Sequence, residues 1–454
     1  MRKQTPPTVG RLILYAGPAL PMSMLLMPPI FYIPPFYATE MNISMTAIGF
    51  IFFLARFWDA LIDPLIGSMS DQTRSRWGRR KPWIALGSLP LLVATYFLLQ
   101  PPPKVTSTYL MITIFIFYLA WTMVQIPYLS WGAELSTDYR TRNRVVGYRE
   151  AGTLIGILVA TGVPTLVFFG REPSIREILL VFVITVSILL PTTVFMALKS
   201  VPDQAADIPQ KISLKNAFKS LSSNKPLMQF IASTFLMWLG VYILNASIIF
   251  ILEKLLNFSG LDFLKMVFLQ FLIGTLVTPV IVKLANRFGK HQVLAGAAIL
   301  TAASCCALSF ARPSQPTDVV LFFAAIGFFI TPIWVLPTAL VADLVDLGAL
   351  LGGGKKEGLY MALYNLALKL AVAASVGIAL PLMSRLGFDP SQALTVNGQH
   401  ALTLVGLYLP ATLLAIGSVL MFLYPLDAKT HAEIVSNLAT IRVPASNASM
   451  VSSE

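Results

Sequence analysis

The stretch "ILLVFVITVSILLPTTVFMAL", residues 178–198, has no charged side chain in twenty-one residues. A helix of roughly twenty apolar residues is what crosses a bilayer. Eleven further runs of this kind follow one another along the chain. Together they lie at about 11–37, 46–70, 83–101, 108–132, 146–170, 177–198, 227–252, 263–286, 292–311, 317–342, 359–384 and 400–424. The runs are continuous rather than alternating, which predicts helices and not a barrel. Composition agrees: 56% of the 454 residues are hydrophobic and 12% charged, about half the charged fraction of a soluble protein. The first run is long, lacks a cleavage site and leads straight into further spans, so it reads as a span and not a signal peptide.

Net charge is +12, and its distribution excludes nucleic acid as the partner. Of the 33 lysines and arginines, Lys104, Arg171, Arg176, Lys254, Lys265, Arg312 and Arg385 fall on one side of the bilayer. Arg56 and Lys369 lie deep within spans, and the rest share the side of the two termini. The positive-inside rule makes that side cytoplasmic. The partners expected are therefore the lipid bilayer, a small-molecule substrate and a monovalent cation, in a monomer with no cofactor. Short loops place the chain in a cell inner (plasma) membrane. Cys305 and Cys306 are adjacent within a span, and His291, His400 and His431 are scattered, so no metal-ligand spacing or nucleophile–base set for an enzyme emerges.

A long polar connection, 199–226, leaves six spans on each side. The expected layout is a six-helix bundle over 1–198, a cytoplasmic loop over 199–226, a second bundle over 227–428 and a polar tail over 429–454. Within the loop, "ISLKNAFKSLSSN" has the pattern of a surface helix. Two echoes suggest internal duplication. Trp77-Gly78-Arg79 follows span 2, as Phe288-Gly289-Lys290 follows span 8. In span 4 Gln125 precedes Glu134 by nine residues; in span 10 Trp334 precedes Asp343 by nine.

Ionisable residues inside a span cost about 2.5–3.5 kcal/mol each at the helix centre, so their positions are informative. Span 2 carries Arg56, Asp59 and Asp63 in "RFWDALIDP". Spacings of three and four put all three on one helical face. Pro64 cannot donate to the Ala60 carbonyl, which leaves an oxygen-rich nook suited to a small hard cation. Closely spaced acids also favour proton uptake by one of them. An Arg56–Asp59 ion pair that only locks the bundle is the structural alternative. Span 11 places Lys369 near its middle, with Asn365 one turn earlier on the same face; an acid from another helix is its expected partner, and a fixed, purely structural charge pair with Asp59 or Asp63 is the alternative. Thr122 and Gln125 share a face of span 4, as cavity lining or as polar glue between helices. Trp334 stands between Pro332 and Pro337, and Arg149 and Glu150 open span 5. The dense "DQTRSRWGRRKP", with Asp71, Arg74, Arg76, Arg79 and Arg80, reads as a gate latching the two halves on the inner face, with an anionic-lipid patch or a helix-capping and topology role as the alternatives.

Taken together, "RFWDALIDPLIGSMSDQTRSRWGRRKPW", "IPYLSWGAELSTDYRTRNRVVGYRE", "NKPLMQF" and "ADLVDLGALLGGGKKEGLYMALYNLALKLA" resemble the glycoside–pentoside–hexuronide:cation symporters of the major facilitator superfamily. The resemblance implies an all-α integral membrane fold of twelve transmembrane helices in two six-helix bundles, working by alternating access. It implies that Asp59, Asp63 and Thr122 bind a coupling Na⁺ or H⁺, with Lys369 beside them. Arg149 and Trp334 match positions near the sugar, and the substrate region is expected around Gln125, Arg149, Trp334, Asn365 and Lys369. The sequence departs from the family on the sugar side. Span 1 reads "YAGPALPMSMLL", without the Lys-Asp pair of the melibiose carriers; the aspartate before Ile-Pro-Tyr is Gln125, and the tryptophan after it is Leu129. A lipid-handling translocator on the same fold and a non-transporting receptor are the competing expectations.

Overall fold

The computed structural model describes residues 7–136, 138–203, 224–311, 315–348, 350 and 357–426. Most of the expected surface helix after Ile212, and the tail, lie outside them. Among the described residues the chain is helical throughout, with twelve spans. The first six are α1 (Val9–Thr39), α2 (Met45–Gln72), α3 (Lys81–Leu99), α4 (Ser107–Glu134), α5 (Arg144–Val167) and α6 (Ile175–Ser200). The second six are α7 (Lys225–Leu255), α8 (Gly260–Phe288), α9 (Lys290–Leu308), α10 (Pro316–Gly348), α11 (Leu359–Arg385) and α12 (Val396–Phe422).

Local chemistry sets where the spans begin and bend. Ser174 and Glu177 form a capping box at α6, as do Ser259 and Asp262 at α8, each satisfying N–H groups the helix leaves unpaired. Prolines interrupt α1: Pro28 and Pro29 lack the N–H that the helix ladder needs, and residues Pro28–Tyr32 widen into a π turn. Pro64, by contrast, sits inside an unbroken α2. Gly78 and Gly289 turn the chain at equivalent places, after α2 and after α8, with φ of +100° and +93°. Only glycine adopts such angles without strain. The echo read in the sequence is thus a repeated backbone device.

Leu86, Leu89, Ile188 and Phe195 are each more than 60% exposed. Such side chains face lipid in a chain of this kind. The opposite faces meet in a continuous core that includes Trp131, Trp238 and Tyr118. The two halves close on one another at the end where α1 and α7 finish and α8 begins. Phe31 and Tyr32 pack on Phe263, at 5.3 and 5.7 Å between ring centres, and the Tyr32 hydroxyl donates to the Gly260 carbonyl at 3.4 Å. At the same end α2 and α11 lie so close that a Cβ on Gly49 would stand 2.7 Å from Pro381 Cδ.

Candidate functional site

Asp59 and Asp63 share a face of α2, as their spacing requires, and that face turns toward α4 and α11. Asp59 is buried and Asp63 partly so. The Thr122 hydroxyl, from α4, lies 3.0 Å from Asp59 Oδ1 and 3.1 Å from Asp63 Oδ1. With a single hydrogen it donates to one of them at a time. On the other side of the acids stands the ammonium of Lys369. Its Nζ donates to Asp59 Oδ2 at 2.9 Å and also to Asp63 Oδ2. The α2 acids and Thr122 belong to the first half, and Lys369 to the second, so this cluster spans the seam between the halves.

Two carboxylates therefore surround one ammonium, at a point where neither acid has much water. Lys369 Nζ is in effect a monovalent cation on a tether, seated among carboxylate oxygens. Arg56 shares the α2 face but does not pair with Asp59; its guanidinium stacks over the Tyr118 ring, 4.6 Å from the centroid. A ring face attracts a cation, and Lys369 already engages both acids. The structural alternative of an Arg56–Asp59 lock is thus not the arrangement found.

One turn along α4 from Thr122, a cavity of about 240 Å³ opens between α1, α4 and α5. Gln125 and Trp121 face it from α4, Arg149, Glu150 and Thr153 from α5, and Ser23 from α1. Two tyrosines fix the wall: Tyr128 donates to the Tyr15 carbonyl at 2.8 Å, and Tyr15 to the Tyr128 carbonyl at 3.2 Å. Gly156 lets α1 and α5 touch, since a Cβ there would collide with Ser23 and the Leu20 carbonyl. The Arg149 guanidinium binds the carboxylate of Glu150, its own neighbour. The carbonyl oxygen of Gln125 is buried and has no partner.

Other expected substrate residues lie apart from that wall. Trp334 is 45% exposed and meets Trp238 edge-on at 4.6 Å, and Trp238 donates to the Tyr364 hydroxyl at 3.2 Å. Asn365 is exposed one turn from Lys369. Both belong to the second half, whereas Gln125 and Arg149 belong to the first.

The expected gate residues make their contacts inside the first half. Arg79 reaches Glu134 at 3.3 Å, and Asp71 pairs with Arg80. Arg74 and Arg76 are exposed. Arg80 is the centre of the cluster: it is buried, binds Glu134 at 2.6 Å and donates to Ser70 at 2.6 Å. Asp203 accepts from the backbone N–H groups of Arg80 and Lys81 at 2.8 and 3.3 Å. The second half repeats the central contact, with Lys290 Nζ on both oxygens of Asp343 at 2.7 and 2.8 Å. The two sequence echoes are thereby joined. The basic residue of one and the acid of the other are partners, once in each half.

Residues 14–428 match the family model described as MFS/sugar transport protein. The chain belongs to this family. A glucuronide carrier protein homolog of Escherichia coli (strain K12) is 25% identical, over 88% of this chain and 89% of its own length. A sodium-dependent lysophosphatidylcholine symporter of Xenopus tropicalis is 23% identical, over 90% and 84%. The nucleoside transporter NupG superposes with a TM-score of 0.67 at 15% identity, covering 91% of this chain and 99% of that one, which shows the fold. The family is one of membrane transporters and not of enzymes, so this chain is a multi-pass transporter.

Proposed function

We propose that this protein is a cation-coupled secondary transporter of a small organic solute, a sugar or glycoside, working by alternating access. The observation that carries the reading is the seating of Lys369 between Asp59 and Asp63 across the seam of the two halves. A coupling Na⁺ or H⁺ at Asp59, Asp63 and Thr122 competes with that ammonium. Its binding neutralises the acids, releases α11 from α2 and shifts the balance between conformations. A ligand moves such a balance only by its difference in affinity for the two states.

The solute binds along Gln125 and Arg149, and Trp334, Asn365 and Lys369 approach from the other half as it closes. The halves meet at the end away from the basic loops, which under the positive-inside rule is the outer end. The conformation is then inward-open, with both termini cytoplasmic in the cell membrane. Asp71, Arg74, Arg76 and Arg79 act as the inner gate in the opposite state, when that end closes.

The test is uptake, and thermal stabilisation of purified protein, across Na⁺ concentration and pH, in the wild type, Asp59→Asn and Asp63→Asn. Both variants are expected to lose the cation response, and the Na⁺ and pH series separate the two ions. Unchanged cation dependence in both variants overturns the assignment. A second reading, transport of an amphiphile, draws on the apolar part of the wall, Met22, Leu26 and Leu129, and on the lysophosphatidylcholine symporter relative. Stabilisation by lysolipids and not by glycosides would select it.

A further inference from the structure

We infer that Glu150 is a specificity-determining residue, which makes the cavity select neutral polyhydroxylated solutes over acidic ones; this rests on the transport reading above. Consecutive residues on a helix point about 100° apart and do not normally face each other. Arg149 nevertheless bends onto Glu150, and the pair stays on the cavity wall, with the glutamate side chain 55% exposed and the arginine 23%. An arginine alone in a cavity is an anchor for a carboxylate or sulfonate. Here its charge is already compensated by an acid that any incoming anion must approach.

Gln125 supplies a second, independent observation. Its carbonyl oxygen is buried without a partner in the same wall. An unpaired buried acceptor calls for a donor. Ionised acids accept hydrogen bonds and cannot donate them, whereas a hydroxyl does both. Glu150 and Gln125 thus ask for O–H donors, while Arg149 beside them offers N–H groups. Adjacent hydroxyls on one ring satisfy this set, with one accepting from Arg149 and its neighbours donating to Glu150 and Gln125. The carboxylates that family resemblance places in spans 1 and 4 are absent from this chain, and α5 supplies one from a different direction.

The experiment measures thermal stabilisation and binding for the purified full-length chain against matched pairs of probes, neutral methyl hexosides and the corresponding methyl hexuronides. Wild type is expected to prefer the neutral member of a pair by about tenfold or more. Glu150→Gln, which keeps the side chain's size, is expected to weaken the neutral member about tenfold and strengthen the uronide, so that the preference narrows or inverts. Glu150→Asp, which keeps the charge, is expected to retain the preference. Wild-type preference for the uronide, an unchanged ratio in Glu150→Gln, or binding of no probe at all overturns the inference. The Na⁺ and pH responses of the wild type are read in the same assay. If Na⁺ or pH shifts the stability but the ratio does not move, only the role of Glu150 falls; if neither has an effect, the transport reading falls with it.

Discussion

Arg80 in the first half and Lys290 in the second stand just after equivalent glycine turns, and each reaches an acid at the end of a later span, Glu134 or Asp343. The first lock is deep. Arg80 is 4% exposed along its side chain and also engages Asp71 and Ser70. The second rests on a lysine that is 34% exposed. A similar asymmetry runs through the centre of the molecule. The first half supplies both acids, Thr122 and the cavity wall, while the second supplies Lys369 and an aromatic cluster around Trp238. Duplicated architecture has therefore kept a structural device in both halves and divided the binding chemistry between them.

The largest effect expected is at the seam. Lys369→Met leaves two acids without their counter-charge, and breaking a buried pair from one side costs about 3–5 kcal/mol. A coupling cation at the acids restores part of that loss. The fall in melting temperature should therefore shrink when Na⁺ is added or when the pH is lowered, according to which cation couples, and a fall that neither changes would separate Lys369 from the cation site. Next come the two locks. Arg80→Gln should cost about 3–5 kcal/mol, because the buried guanidinium holds Glu134, Asp71 and Ser70 together. Lys290→Gln should cost about 1 kcal/mol, as for a more exposed pair. Equal melting temperatures for the two variants would end the contrast between a deep and a shallow lock.

The smallest effects belong to the glycine turns. Gly289→Ala places a methyl group at positive φ, in no more than van der Waals contact with the His291 ring at 3.6 Å, with an expected cost of about 1–3 kcal/mol. Gly78→Ala has the same backbone penalty plus collision with Asp203, so it should lower the melting temperature further. If Gly289→Ala is the more harmful, the clamp of Asp203 on the first turn is not what distinguishes the halves.

Much of the fold was legible in the residues, because a bilayer leaves few options. Runs of apolar residues and the two glycine turns act over short distances. The acids of α2 were legible for the same reason, since a spacing of four needs only a helix to align them. Partners were less so. Arg56 lies three residues from Asp59, yet it stacks on Tyr118, because Lys369 from a helix some three hundred residues later takes both acids. Arg80 was one of five neighbouring basic residues, and only burial singles it out. Glu134 and Asp343 were visible as an echo without a meaning until Arg80 and Lys290 were found against them.

The sequence by itself determined that this chain crosses a membrane many times, that a glycine turn and an acid position recur in its two sets of six spans, and that it carries acids where lipid should be. Hydrophobic length, charge asymmetry and helical spacing are one-dimensional signals. Only the tertiary structure decided which cation sits on those acids, that Trp334 stands apart from Gln125 and Arg149, and that Glu150 rather than an acid of span 1 or span 4 lines the cavity. Such outcomes depend on which buried charges find each other first in space, and a low-dielectric interior settles that by proximity across helices rather than by order along the chain.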